Sequence, residues 1–290
     1  MKAFFAWLGS LFSPKPQAVL SAPNTTSTPS TPPTPNSDSA PPSPVPSPVV
    51  SAPGVNPPVE GFPRLLSPTR LKCSDLSHYD PAVDWKQAVA FGESVCMSKA
   101  TDGINTTDAT FKEDRAASRA SGLAYMAYHF FRFDYDPVQQ AKFMFKTTGG
   151  VLSGELAHCL DLEWDNYGSN LQYRDSDHGA KGSQGQIDEA GAQKALSFLE
   201  TIELLTNRTP FVYTAPGFFP GLAKPETVAK FARFGLWVAD YRGPLPRVPK
   251  PWAMWTFWQY SSTQAVPGTG KIDASYFNGD KAALSSLLKP

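Results

Sequence analysis

The sequence has no net charge, few cysteines and no long apolar run. Its 26 Lys and Arg residues balance 26 Asp and Glu residues, which argues against a nucleic-acid-binding protein, because such proteins usually present a basic face. Three cysteines, Cys73, Cys96 and Cys159, are too few and of odd number for a disulfide framework, so we expect buried free thiols. No apolar run approaches the roughly 18 to 20 residues of a membrane-spanning helix, and no internal repeat is found.

The first 63 residues are poor in charge and in large apolar side chains. They hold 16 of the 29 prolines, and only Lys15 and Asp38 are charged between Ser13 and Val59. So little apolar surface cannot offset the entropy cost of ordering, about 1 to 2 kcal/mol per residue for the backbone. We therefore predict a disordered Pro/Ser/Thr-rich linker over residues 23–63, locally extended as polyproline II. A Pro-rich ligand for a partner is the alternative.

Residues 1–22 form a short apolar segment. Lys2 precedes the apolar stretch of residues 3–12, whose length suits the hydrophobic region of a signal peptide. Export to the cell envelope or the extracellular space is therefore expected. An uncleaved anchor and a short membrane-surface helix are the alternatives, so an N-terminal membrane contact stays open.

From residue 64 to residue 290, short apolar runs alternate with amphipathic stretches, which is typical of βα units. The runs predict strands over 71–76, 94–99, 123–130, 157–162, 211–214, 236–239 and 256–260. Helices are predicted over 83–91, 110–121, 136–147, 187–206 and 225–233. We expect one domain, an irregular TIM-like (β/α) barrel of about eight strands and five or so helices, because α/β barrels routinely have this length. A polar insertion, 165–186, follows the fourth strand on the expected catalytic rim, as a lid, a substrate contact or a passive loop.

Two carboxylates end the fourth predicted strand. Alternate side chains of a strand share a face, so Asp161 and Glu163 point the same way, with Cα atoms roughly 6 to 7 Å apart. In a barrel that direction is inward, and burial of neighbouring acids raises the pKa of at least one, as a general acid requires. A solvated strand end is the alternative. Asp75 ends the first predicted strand and Asp273 lies near the C-terminus. Because the first and last strands are neighbours in a closed barrel, we expect these two acids to share a rim, although each alone suits a cap or turn.

Aromatic and amide side chains accompany these acids at the strand ends. Sugar rings stack their C–H faces on aromatics and offer hydroxyls to carboxylates and amides, so this mixture favours a carbohydrate cleft over core packing alone. His129 alternates with Tyr128 and is expected to be a hydrogen-bonded core residue. The expected substrate contacts are Tyr128, Tyr213, Trp237, Asp240, Trp258 and Gln259.

A family resemblance rests on motifs that occur in order over roughly residues 70–290. They are DLSHYD (75–80), VDWKQAV (83–89), SKATDG (98–103), AYHFFR (127–132), LDLEW (160–164), VYT (212–214), LWVADY (236–241), WQYSS (258–262) and VPGTGKID (266–273). The chain resembles the glycoside hydrolase family 25 muramidases, the Chalaropsis-type lysozymes. The resemblance implies cleavage of the β-1,4 bond between N-acetylmuramic acid and N-acetylglucosamine without metal or cofactor.

The resemblance also implies roles for the four acids. Glu163 corresponds to the general acid/base and Asp161 to the residue that orients or stabilises the substrate acetamido group. Asp75 and Asp273 correspond to the remaining acids of the site. The implied partner is the peptidoglycan glycan strand, bound by a monomer, and the implied settings are a phage endolysin held in the cytoplasm until release, a bacterial autolysin or a secreted effector.

Two other functions fit the same residues less well. A metal-dependent polysaccharide deacetylase would use Asp75, His78 and His129 around a cation, although no close histidine spacing supports it. A non-catalytic wall-binding module would keep the aromatic cleft without turnover, but the presence of all four acids argues against it.

Overall fold

The computed structural model describes residues 70–163, 187–219, 221 and 223–290. The predicted N-terminal segment, the linker and the 165–186 insertion lie outside the described residues.

Nine strands are present in the described part of the chain, and eight of them close into a barrel. They are β1 (Leu71–Leu76), β2 (Glu93–Asp102), β3 (Thr106–Thr107), β4 (Ala124–Phe130), β5 (Cys159–Asp161), β6 (Phe211–Thr214), β7 (Gly235–Ala239), β8 (Phe257–Val266) and β9 (Gly270–Phe277). The hydrogen-bonded order is β1-β9-β8-β7-β6-β5-β4-β2-β3, and pairing of β1 with β2 closes the ring. β9 is antiparallel to both neighbours, β1 and β8, and the other barrel pairs are parallel.

Six α-helices accompany these strands in the described residues. They are α1 (Trp85–Phe91), α2 (Phe111–Ala120), α3 (Pro137–Thr148), α4 (Glu189–Thr206), α5 (Pro225–Ala229) and α6 (Lys281–Leu287), and a 3-10 turn over Lys230–Arg233 extends α5. Asp84, Asp136, Asp188 and Asp280 cap α1, α3, α4 and α6, each accepting a backbone N–H three residues ahead. None of the helices in the described ranges has the length and hydropathy for crossing a bilayer.

The irregular barrel prediction is confirmed, with differences near the C-terminus. β8 continues six residues beyond its predicted end at Tyr260 and forms a hairpin with β9. β9 starts with two exposed residues, Gly270 and Lys271. Because the apolar alternation begins only after them, the sequence does not show clearly where this strand starts. Helix α6, which follows Asp280, was also not predicted.

Strand alternation divides the core into two clusters. One lies between the sheet and the helices and includes Leu160, Val212 and Leu236. The other fills the barrel lumen and contains Cys73, Met97, Met126, Cys159, Trp237, Phe257 and Phe277. All three cysteines are buried and free, as predicted. Because alternate residues share a face, the lumen positions continue toward the carboxyl ends of the parallel strands as Asp75, Tyr128, Asp161, Tyr213 and Gln259.

Candidate active site

Four acids meet above the apolar barrel lumen. Asp75 of β1 lies directly opposite Asp273 of β9 in the antiparallel register, which places their Cα atoms about 4.5 to 5.5 Å apart. Asp161 is the last residue of β5, and Glu163 follows two positions later. The side chains of Asp75 and Asp161 are almost fully buried, whereas Glu163 and Asp273 are partly exposed. The site therefore has two sheltered carboxyls and two that solvent or substrate can reach.

Gln259 ties the first acid pair to two phenols. Its Nε2 donates to Asp75 Oδ1 at 2.8 Å and to Asp273 Oδ2 at 3.2 Å. Its Oε1 accepts from the hydroxyls of Tyr213 at 2.8 Å and Tyr241 at 2.5 Å. Since the two phenols donate to the oxygen, the amide N–H groups must face the carboxyls. One amide thus joins side chains from four other parts of the barrel rim.

Burial raises the pKa of each of the four acids. For Asp75, burial comes first and the neighbouring Asp273 carboxyl adds to the increase; for Asp161 the second contribution comes from Glu163. Burial also raises the pKa of both Glu163 and Asp273 to about 7. A buried group of like charges retains protons at a pH where an isolated carboxyl is ionised. The site therefore holds an acid that is able to donate a proton near neutral pH.

Two carboxyl oxygens of the site lack a hydrogen-bond partner among the described residues. Within the described residues, Asp75 Oδ2 and Asp161 Oδ1 are buried and have no hydrogen-bond partner. Buried polar atoms in folded proteins are nearly always hydrogen-bonded. Hydroxyl or amide N–H groups of a bound sugar would supply the donors that these two oxygens need.

Trp237 forms the floor of this site. Its ring centroid lies 4.6 Å from that of Tyr213 and 6.1 Å from that of Tyr128, both edge-on. The indole Nε1 donates to Ser275 Oγ at 3.1 Å, and only 2% of the residue is exposed. Trp237 therefore supports the two tyrosines from below, with little surface of its own for a ligand.

Comparison with known proteins decides the family. The sequence profile of Glycosyl hydrolases family 25 matches residues 74–269. The chain belongs to glycosyl hydrolases family 25. Its resemblance to that family, first seen in the motifs, is confirmed, and the protein is a glycoside hydrolase of the lysozyme type.

Individual relatives share the whole barrel. Lysozyme M1 of Streptomyces globisporus is 28% identical over 219 residues, which cover 73% of this chain and 69% of that protein. The N,O-diacetylmuramidase of Chalaropsis sp is 25% identical over 220 residues, or 73% of this chain and 96% of the relative. The crystal structure of the bacterial lysozyme from Streptomyces coelicolor has a TM-score of 0.67 at 26% identity and covers 77% of this chain and 98% of its own.

Two of the expected substrate contacts lie away from this family 25 site. Trp258 packs in the cluster between sheet and helices, and its Nε1 donates to the carbonyl of Asp240 at 2.8 Å. The Asp240 carboxylate is buried and pairs with Arg247, at 2.8 Å between Oδ2 and Nε. The reason is strand parity, because Gln259 faces the lumen and its neighbour Trp258 must face outward.

The residues of the metal-dependent alternative are not brought together. His129 is fully buried on the outer face of β4, where its ring nitrogens bond to Thr101 Oγ1 and Gln140 Oε1. His78 Nδ1 lies 2.6 Å from Asp108 Oδ2, above α2. Among the described residues, no three His, Cys, Asp or Glu side chains form a metal-binding group. Asp75 therefore has carboxylate and amide neighbours instead of histidines.

Three residues near the acids have roles that were not predicted. Tyr241 is not among the expected substrate contacts, yet its hydroxyl donates to Gln259 Oε1. The positive charges of Lys99 and Arg132 oppose the effect of burial, because each of them lowers the pKa of Glu163. The sequence does contain an indication for Lys99, because it lies two residues beyond Met97, whose side chain faces the lumen. Arg132 follows the end of β4, where strand alternation no longer predicts the direction of a side chain.

Proposed function

We propose that this family 25 enzyme is a muramidase that hydrolyses the β-1,4 bond between N-acetylmuramic acid and N-acetylglucosamine in peptidoglycan. The observation that carries the proposal is the Asp161–Glu163 pair, placed with Asp75 and Asp273 at the carboxyl ends of the parallel barrel strands. Active sites of α/β barrels lie at this end.

Glu163 is the proposed general acid/base. A pKa of about 7 leaves much of this carboxyl protonated near neutrality, so it can donate its proton to the glycosidic oxygen as the bond to the anomeric carbon breaks. The same group, now a carboxylate, takes a proton from the water that completes hydrolysis. No step of this sequence requires a metal.

Asp161 is the proposed stabiliser of the positive charge that develops at the sugar ring. It acts either as the nucleophile or by orienting the substrate acetamido group, whose carbonyl oxygen then attacks the anomeric carbon. Its Oδ1, which has no hydrogen-bond partner among the described residues, supports either role. In both schemes Glu163 keeps its task.

Asp75, Asp273 and the tyrosines are the proposed sugar contacts. Asp75 Oδ2 is a buried acceptor without a partner in the described part of the chain, and Tyr241 is half exposed beside it in the Gln259 network. A carboxylate beside an exposed phenol offers a hydrogen bond to a hydroxyl and a ring for the C–H face of a sugar.

Products of purified peptidoglycan distinguish the candidate reactions. We expect the full chain to release muropeptides with reducing N-acetylmuramic acid ends, detected by mass spectrometry after borohydride reduction. Reducing N-acetylglucosamine would assign the cut to the other glycosidic bond, and free acetate would indicate deacetylation. Tight binding to glycan strands without new reducing ends would favour the non-catalytic module.

The pH dependence of turnover gives a second test. Because the acid must be protonated, kcat/KM is expected to fall as the pH rises through about 7, the pKa of Glu163. Asp273 titrates in the same range, so the descending limb belongs to the coupled cluster. Initial rates on solubilised glycan from pH 4 to pH 9 measure it. A limb near pH 4.5, the ordinary range of a glutamate, would contradict a raised pKa for the general acid.

The setting of the enzyme is proposed from its substrate. Action at the cell envelope or outside the cell, by a monomer with an N-terminal segment suited to export or membrane contact, fits glycan strands as the partner.

A further inference from the structure

A pair of cations, Lys99 and Arg132, stands on the rim beside the catalytic acids. Both charges lie 4.5 Å from the centroid of the Phe130 ring, a distance typical of cation–π contact. Asp102 accepts from Arg132 Nε at 2.6 Å and Nη2 at 2.8 Å, whereas Lys99 Nζ lies 3.6 Å from Asp102 Oδ2. The three charged side chains are largely buried. Their arrangement is therefore held by a ring and a carboxylate.

The strand register places this pair next to the acids. Phe130 of β4 is the direct partner of Asp161 of β5, so the ring that both cations contact is one strand away from the carboxyl pair. Among the described residues, Asp102 is a carboxylate that both cations contact. The two contacts differ, because Arg132 makes a bidentate ion pair and Lys99 only a long one. Asp102 therefore holds the Lys99 ammonium group less tightly than the Arg132 guanidinium group.

We propose that Lys99 is a positioning residue of the reaction, whose ammonium group, held by Asp102 and by the Phe130 ring one strand away from Asp161, stabilises the charged form of the Asp161–Glu163 pair. The inference rests on the proposed function and extends it to the base step, in which Glu163 must be a carboxylate. Burial alone would keep Glu163 protonated. A fixed cation offsets part of the free-energy cost of ionising the buried Glu163 carboxyl, and it does so without a direct bond to that carboxyl.

Other charged groups near Glu163 set the sign of the test. Six titratable side chains of the described residues interact electrostatically with Glu163. They are Lys99, Arg132, Asp161, Asp273, Tyr213 and Tyr241. Lys99 is the strongest of those that lower the pKa of Glu163, and Asp273 raises it. Loss of the Lys99 charge must therefore raise the pKa of Glu163.

The test compares Lys99→Met with Lys99→Arg and with Lys72→Met in the full chain. Lys72 is the matched control, because its ammonium group also lies over a phenylalanine, 3.6 Å from the centroid of Phe91, but at the amino end of β1. We expect the descending limb of the kcat/KM profile to move up by about one pH unit in Lys99→Met, the size typical of losing one nearby charge. In Lys99→Arg and Lys72→Met the descending limb of the kcat/KM profile should stay at its wild-type pH.

A titration without substrate separates this inference from the proposed function. Glutamate labelled at its carboxyl carbon reports the protonation of Glu163 by NMR, and the Glu163→Gln variant assigns the signal. We expect the Glu163 midpoint to rise in Lys99→Met whether or not the wild type cleaves glycan, and well-dispersed spectra show that the variant is folded. An unchanged midpoint, or a change in KM with the limb in place, would overturn the proposal and assign Lys99 a structural or substrate-contacting role.

Discussion

Glu163→Gln is expected to lower the turnover of peptidoglycan by about 10³-fold, within the range that a positioned general acid contributes. The amide has nearly the same shape as the carboxyl but has no acidic proton for the glycosidic oxygen and cannot serve as a base for water. Release of reducing ends under single-turnover conditions measures the loss, and it should appear in kcat more than in KM because the proton transfer occurs only in the transition state.

Glu93→Gln is the matched control for this substitution. Glu93 begins β2 at the opposite end of the barrel, is also buried, and has a pKa that burial likewise raises to about 7. Its replacement should leave turnover at the wild-type level. If Glu163→Gln retained near-wild-type activity, the general acid would have to be another member of the cluster, with Asp273 as the first candidate because its pKa is also about 7.

The sequence was sufficient to place the four acids because their positions depend on local rules. Alternation along a strand puts Asp161 and Glu163 on one face. Closure of a barrel makes the first and last strands neighbours, and Asp75 and Asp273 are in fact direct register partners. Neither inference needed knowledge of any side-chain rotamer.

The same alternation rule limits which of the expected substrate contacts can face the lumen. Trp258 and Gln259 are adjacent in one strand, so both could not face the lumen, and the composition of the segment alone does not say which one does. The structure places Gln259 inside, where it bonds to Asp75 and Asp273. Trp258 packs on the outer face with Tyr276 and Trp255.

Contacts between distant segments were beyond prediction from the sequence. The ion pair of Arg132 with Asp102 joins residues 30 positions apart, and its geometry depends on the register of β2 against β4. A second example lies under α2, where Arg115 and Arg119 both bind the buried Glu155. In each case the partners are far apart in the sequence, and no periodicity indicates that they meet.

Asp161→Asn is expected to lower turnover by about 10²-fold and to make the folded protein more stable at alkaline pH. The activity loss follows because a neutral amide cannot compensate positive charge at the anomeric carbon. The stability gain follows because burial and the neighbouring Glu163 raise the pKa of the Asp161 carboxyl. Ionisation of this carboxyl inside the barrel therefore lowers the stability of the folded protein. An asparagine does not ionise and avoids this loss.

The size of this stability gain changes with pH in a way that identifies its origin. A carboxyl with a raised pKa in the folded state contributes its full stability below the unfolded pKa of about 4 and loses it as the pH rises through the folded value. The free energy of unfolding of the wild type should thus fall relative to that of Asp161→Asn as the pH rises from 4 to 8.

Thermal unfolding at pH 4 and at pH 8 measures this difference. We expect similar Tm values for the two proteins at pH 4 and a higher Tm for Asp161→Asn at pH 8. Glu93→Gln should show the same pH-dependent gain, since the pKa of Glu93 is also raised by burial, but with activity retained. A lower Tm for Asp161→Asn at pH 8 would mean that the Asp161 carboxylate is favoured in the fold. The rim cations would then outweigh its burial, and Asp161 would already be fully ionised before substrate binds.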